Sequence, residues 1–171
     1  EMMRQAFTTG HWARLDAVAE RFDLAGWVAD NATRTPATYS QSWERKGLAA
    51  AYWLIANGRL AEAEAVLQRL LAVVKAAGIM TRASIIEANL LVITGKGLSA
   101  SEQAKRVDEL ITRYGLLNIN RSVFDEAPGL ASLMQGLWGS GALMLPDFYT
   151  QLFPTVFDAA PANDPLAVDP D

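Results

Sequence analysis

The chain contains no cysteine and a single histidine among its 171 residues. The first absence removes disulfides, thiolate nucleophiles, cysteine-rich zinc sites and iron–sulfur ligation together. It fits a reducing compartment, so a cytoplasmic location is expected. The second excludes multi-histidine metal sites and serine or cysteine triads by count, and leaves His11 to be read as a solvated side chain near the start of the chain. Long hydrophobic runs are missing too. The longest, LAAAYWLIA at 48–56, is far short of the ~20 residues that cross a bilayer, so no membrane helix is expected. The opening EMMRQAFTTGHW lacks a basic region followed by an apolar segment and is not read as a secretory leader. Beginning on Glu1 rather than methionine is expected of a piece of something longer. Charge of one sign is also scarce. The 15 basic and 19 acidic residues leave a net charge of -4, and the basic ones are scattered singly apart from Arg45 with Lys46 and Lys105 with Arg106. Without a face that neutralises several phosphates, this segment is not expected to contact nucleic acid directly.

What is present is apolar and helical. Residues of the apolar class make up 51% of the chain and charged residues 20%, the balance of a packed globular piece. Between residues 40 and 57, Trp43, Ala50, Ala51, Leu54 and Ile55 recur at helical spacing, with Ser40 or Ser42 placed to cap the start and Gly58 to stop it. The pattern resumes with Leu60, Ala63, Leu67, Leu70, Leu71 and Val74 and ends at Gly78. So short a turn makes the two helices antiparallel. A second pair follows. One helix carries Ile85, Ala88, Leu91 and Val92 inward and stops at GKG, 95–97. The next has Ser99 and Glu102 in capping-box spacing and a stripe of Val107, Leu110, Ile111 and Tyr114. Gly58 and Gly95 lie 37 residues apart, close to the period of tetratricopeptide-like hairpins. Upstream, residues 11–31 read as a helix with Trp12, Leu15, Val18, Ala19 and Phe22 on one face and Gly26 as its break or kink, followed by a loop over 31–39. Downstream, Pro128 sits near the first turn of another helix, and 146–157 is read as one more short helix. The expectation is an all-α fold of about six or seven helices, stacked as an α-α superhelix of antiparallel hairpins. Its domain covers residues 1–153, and residues 154–171, with four prolines and four aspartates, form a tail or linker.

Ala51, Leu54, Gly58, Ala63, Leu67 and Leu70 fall where the tetratricopeptide pattern places small or apolar residues, so that alanines at the crossing bring two helices close. The turn GKGLSA of the second pair is about three residues longer than that pattern allows. The succession AAAYWLIANGRLAEAEAVLQRLLAVVKAAG, RASIIEANLLVITGKG, a third helix and RSVFDEAPGLASLM resembles the last part of the helical-repeat arm in large ATP-binding LuxR-type transcriptional activators, the maltose-regulator-like family of bacteria. The resemblance covers residues 12–138, and RSVFDEAPGLASLM is its most specific stretch, similar to the family's closing motif. It implies a regulatory arm that senses a small inducer or a protein partner. That arm would lie between a nucleotide-binding ATPase and a DNA-reading helix-turn-helix, neither of which is in this chain. No G-x-x-x-x-G-K-[ST] occurs. The alternative is a protein-interaction scaffold that binds a peptide or a second subunit and senses nothing, and self-association stays open.

No residue cluster suggests an enzyme, a metal site or a cofactor. Asp125 and Glu126 precede Pro128, where acids favour the positive end of the following helix. Glu87 lies beside inward positions, so it needs a partner, either a neighbouring helix or an effector. The five tryptophans read as core or inter-helix packing, with Trp43 or Trp53 as alternatives for bordering a ligand. A shift of 37 residues superposes Arg45 on Arg82, Leu48 on Ile85, Tyr52 on Asn89 and Ile55 on Val92. In stacked hairpins these eight residues would line one concave groove, with arginines at one end, polar groups midway and an aliphatic floor. Such a groove suits a small anionic or amphipathic ligand or an extended peptide. The competing reading leaves the two arginines solvated or pairs them with nearby acids such as Glu44 and Glu87.

Overall fold

Apolar residues at helical spacing, interrupted by glycine, fold as that spacing requires. The computed structural model describes residues 12–32, 36, 38–115, 119, 121–127, 129–149 and 151. Among the described residues eight helices have both ends defined, residues 147–149 and 151 are helical as well, and there is no strand. They fall into two compact units that divide between Ile79 and Met80. His11, Pro128, the loop residues 33–35 and the tail 154–171 lie outside the described residues, so the expectations placed on them are not addressed by the structure.

The first unit holds α1 (Trp12–Arg21), α2 (Leu24–Asn31), α3 (Gln41–Ala56) and α4 (Leu60–Ala76). Residues 12–31 do not form one helix kinked at Gly26, because the chain breaks at Phe22 and Asp23. Asp23 takes the left-handed conformation at φ 47° and accepts a hydrogen bond from the Gly26 amide at 3.1 Å. An aspartate that caps the helix it precedes competes well with continuing the previous one. The break rotates Phe22 outward, to 48% exposure, while Leu15, Val18 and Ala19 stay buried as their spacing predicts. Ser40 is the N-cap residue of α3 but makes no cap bond, its hydroxyl lying 3.1 Å from that of Ser42 instead.

α3 and α4 form the hairpin. Gly58 at φ 70° donates to the Ile55 carbonyl at 3.0 Å, and Arg59 donates to the Leu54 carbonyl at 2.9 Å. This closes the last turn of α3 with a residue that carries no left-handed penalty. Ala50, Ala51, Leu54, Ala63, Leu67 and Leu70 are all fully buried, and each such leucine contributes ~1.5–3 kcal/mol relative to exposure. The tightest approach is at Gly47. A Cβ there would lie 2.6 Å from a Leu70 methyl and 2.8 Å from the Trp27 ring.

The second unit holds α5 (Met80–Gly95), α6 (Ala100–Tyr114), α7 (Arg121–Glu126) and α8 (Leu130–Gly139). α5 is central and packs against α6, α7 and α8. Ala83 to Ile86, Ala88, Asn89 and Leu91 to Ile93 are buried, which explains why its apolar residues form no single clean stripe. α6 begins with the capping box the sequence spells. Ser99 accepts from the Glu102 amide at 3.3 Å, and the Glu102 carboxylate accepts from the Ser99 amide at 3.0 Å. Val107, Leu110 and Tyr114 are buried, with Ile111 half-buried.

Gly47→Ala is expected to destabilise the chain by about 1 kcal/mol. A gain of up to ~1 kcal/mol in helix propensity is outweighed by overpacking against a fully buried leucine, which costs ~1–3 kcal/mol. Urea unfolding measures it, and an unchanged or raised midpoint would show that Leu70 and Trp27 give way freely.

Candidate functional site

The eight groove residues divide evenly between the units. Arg45, Leu48, Tyr52 and Ile55 lie on α3 of the first, and Arg82, Ile85, Asn89 and Val92 on α5 of the second. Arg45 is exposed. Leu48, Tyr52, Ile55, Ile85 and Val92 are buried. Of the eight, therefore, Arg45 and in part Arg82 present charge to solvent.

In the second unit the structure brings Arg82 and Asn89 together on one residue, Glu126. From the first turn of α5, Arg82 donates through one guanidinium nitrogen to both carboxylate oxygens of Glu126, at 3.0 and 3.1 Å. Two turns along, the buried Asn89 amide donates to the backbone carbonyl of Glu126 at 2.8 Å and to the Ile85 carbonyl at 2.9 Å. The end of α7 is thus clasped by its side chain and its backbone at once. The ion pair is within reach of water, with side-chain exposures of 20% for Arg82 and 26% for Glu126. An acid that meets Arg82 thus comes from the closing motif RSVFDEAPGLASLM. Asp125 pairs with Arg121 at 2.9 Å, so both acids before Pro128 have cationic partners. Glu126 is the functional candidate that reading the groove alone missed. A signal was there, since it follows Asn89 by 37 residues, the same period that relates Asn89 to Tyr52.

Glu87 is held from α6, where the Arg113 guanidinium and the Tyr114 hydroxyl both donate to it. Burial raises the Tyr114 phenol above its ordinary range, partly offset by the Arg113 charge. In the first unit, Glu44 is fully buried and accepts from the Tyr39 hydroxyl at 3.2 Å. The tryptophans divide. Trp27 and Trp43 pack with ring centroids 5.7 Å apart. The Trp53 indole donates to Asp16 at 3.2 Å, with the Arg59 guanidinium 5.2 Å over its ring. Trp138 is 44% exposed rather than core.

Among the described residues no group of three or more histidine, cysteine, aspartate or glutamate side chains could hold a metal, and no helix is long and apolar enough to cross a membrane. Comparison of the chain with protein-family models, with curated proteins and with solved structures finds no match in any of the three.

One buried polar side-chain atom, the Tyr149 hydroxyl, has no hydrogen-bond partner among the described residues. Its ring stands edge-on to Phe124 at 6.2 Å, and burial pushes its phenol up from 10.0 to about 12. The folded state therefore holds this proton more tightly than the unfolded chain does. Its contribution is intact below pH 10.0 and is lost as pH rises towards about 12. Tyr149→Phe is expected to raise stability at neutral pH by about 1 kcal/mol, since it removes a buried hydroxyl with no partner among the described residues. It should also delete a phase near pH 12 from a phenolate absorbance titration. Loss of stability, or a titration with that phase still present, would point to a partner for the hydroxyl.

Proposed function

We propose that this chain is the sensory helical-repeat arm of a LuxR-type transcriptional activator, and that a small carboxylate-bearing effector competes with Glu126 for Arg82. The observation that supports this reading is the solvent-reachable Arg82–Glu126 pair at one end of a clasp whose other end, Asn89, is buried. Guanidinium groups take carboxylates in bidentate form. A ligand that replaces the Glu126 side chain removes one tie between α5 and α7, so the arm has two states for which the effector has different affinity. In this reading the arm works in the cytoplasm, without cofactor or catalysis, and relays to ATPase and DNA-binding domains elsewhere in a longer protein.

Titration calorimetry with small carboxylates from acetate to citrate, and neutral sugars alongside, tests the proposal. At least one carboxylate is expected to bind. Arg82→Ala should weaken it about tenfold or more, whereas Glu126→Gln should strengthen it by removing the tethered competitor. Equal binding by parent and Arg82→Ala, or weaker binding by Glu126→Gln, would sink the idea.

A second reading, a scaffold for a protein partner or a second copy of the chain, is favoured by Trp138, Met144 and Phe148, which are 44%, 87% and 43% exposed in the second unit. A scaffold would give no heat with any carboxylate and would self-associate as concentration rises, an association that Trp138→Ser would weaken.

A further inference from the structure

We infer that Asn57 is a deamidation site gated by the turn between α3 and α4. Asn57 and Gly58 form the sole Asn-Gly pair in the sequence. Asparagine loses its side-chain amide fastest before glycine, where no side chain screens the following backbone nitrogen. Here both residues are exposed, and a Cβ on Gly58 would meet nothing within 4 Å, so water and base reach the site from every open direction.

The chemistry needs no cofactor. The Gly58 backbone nitrogen gives its proton to a solvent base and attacks Cγ of Asn57, forming a new N–C bond. The bond from Cγ to Nδ2 breaks and ammonia leaves with a proton from water. Water then adds to one of the two carbonyls of the five-membered imide, giving aspartate or isoaspartate. No electron is gained or lost overall.

The folded turn holds both reacting ends away from this path. Gly58 N–H donates to the Ile55 carbonyl at 3.0 Å, while the Nδ2 leaving group donates to the Trp53 carbonyl at 2.9 Å. Asn57 sits at φ −92° and ψ 12°, whereas ring closure needs the Gly58 nitrogen nearly in plane with Cβ and Cγ. Reaching that arrangement breaks the bond from Gly58 and, through it, the closing pattern of α3. The reaction therefore proceeds from molecules in which the last turn of α3 has opened.

The product does not restore the turn. A carboxylate at this position meets the negative end of the α3 dipole and has no amide to offer the Trp53 carbonyl. Isoaspartate also lengthens the backbone by one methylene, which shifts the register of the Ile55 and Leu54 bonds. Each opening thus carries a chance of being made permanent, and residue 57 becomes a chemical record of how often this hairpin has come undone.

The full chain, incubated at mildly alkaline pH with and without urea and then mapped by peptide mass spectrometry, tests this. Residue 57 is expected to convert ahead of every other asparagine in urea, and at least about tenfold more slowly in the folded chain. Equal rates in the two conditions would overturn the gate, and no preferential conversion in urea would overturn the site. Asn57→Asp, which mimics one product, should lower the thermal midpoint, and an unchanged midpoint would overturn the claimed loosening. Asn57→Gln should abolish the conversion while keeping an amide in place.

Discussion

The approach of α3 to α4 at Gly47 is the constraint on which the first unit rests. With a Leu70 methyl and the Trp27 ring both inside the space a Cβ would occupy, α2, α3 and α4 meet at one backbone atom. The polar contacts around it have the same three owners. The Trp43 indole of α3 donates to the Asn31 side-chain oxygen at 2.8 Å, and the Asn31 amide returns to the Trp27 carbonyl at 2.8 Å. The Arg69 guanidinium of α4 reaches the Asn31 main-chain carbonyl. Neither the α2 end nor the indole pair would be positioned if the two long helices stood a methyl group further apart. Helices of 16 and 17 residues draw most of their stability in a folded protein from packing of this kind rather than from local propensity.

The second unit solves a different problem, a central helix with few faces left for solvent. α5 buries Ser84 and Asn89 with its aliphatic residues, and each must find partners within the interior. Ser84 turns back to the Thr81 carbonyl at 2.9 Å. Asn89 does more, because one of its amide protons satisfies the Glu126 carbonyl at the open end of α7. A six-residue helix cannot hold its own register by hydrogen bonds alone. Two contacts from α5 to one residue of it, buried at Asn89 and half-buried at Arg82, fix where it sits.

Much of the helical layout was legible in the sequence because it depends on local, periodic signals. Gly58 and Gly78 end α3 and α4, Ser99 and Glu102 start α6, and most residues assigned to an apolar stripe are buried, with Trp43, Leu60, Leu71 and Ile111 half-buried. The failures lie where two signals compete. Gly26 looked like the break in the first helix, but its lack of a side chain makes room for the Asp23 carboxylate, which would lie 2.3 Å from a Cβ there. The actual break is therefore three residues earlier. Phe22 fits an apolar stripe yet faces water because the helix breaks before completing the face it starts, and Trp138, read as packing, is 44% exposed. For the groove residues, periodicity carried no information on which side of a helix the interior lies. Leu48, Tyr52, Ile55, Ile85 and Val92 are buried, and Glu126, whose charge suits the start of the following helix, also meets Arg82 from a distant part of the chain.

The Arg82–Glu126 pair also constrains what a competing effector must be. Glu126 is tethered, so it presents its carboxylate at an effective concentration on the order of millimolar or higher. A free monocarboxylate offering the same contact and nothing more gains no advantage until it exceeds that level. An effector that acts at lower concentration must therefore add contacts that Glu126 does not make, through a second charge or an apolar body. The tether sets a threshold, and selectivity comes from whatever surrounds Arg82 rather than from the arginine itself. On the proposed reading Asn89 would keep its grip on the Glu126 backbone, so displacement of the side chain would loosen α7 without releasing it. Such a clasp, with one buried bond and one half-buried pair, would give the small, reversible difference between states that the proposed sensing role needs.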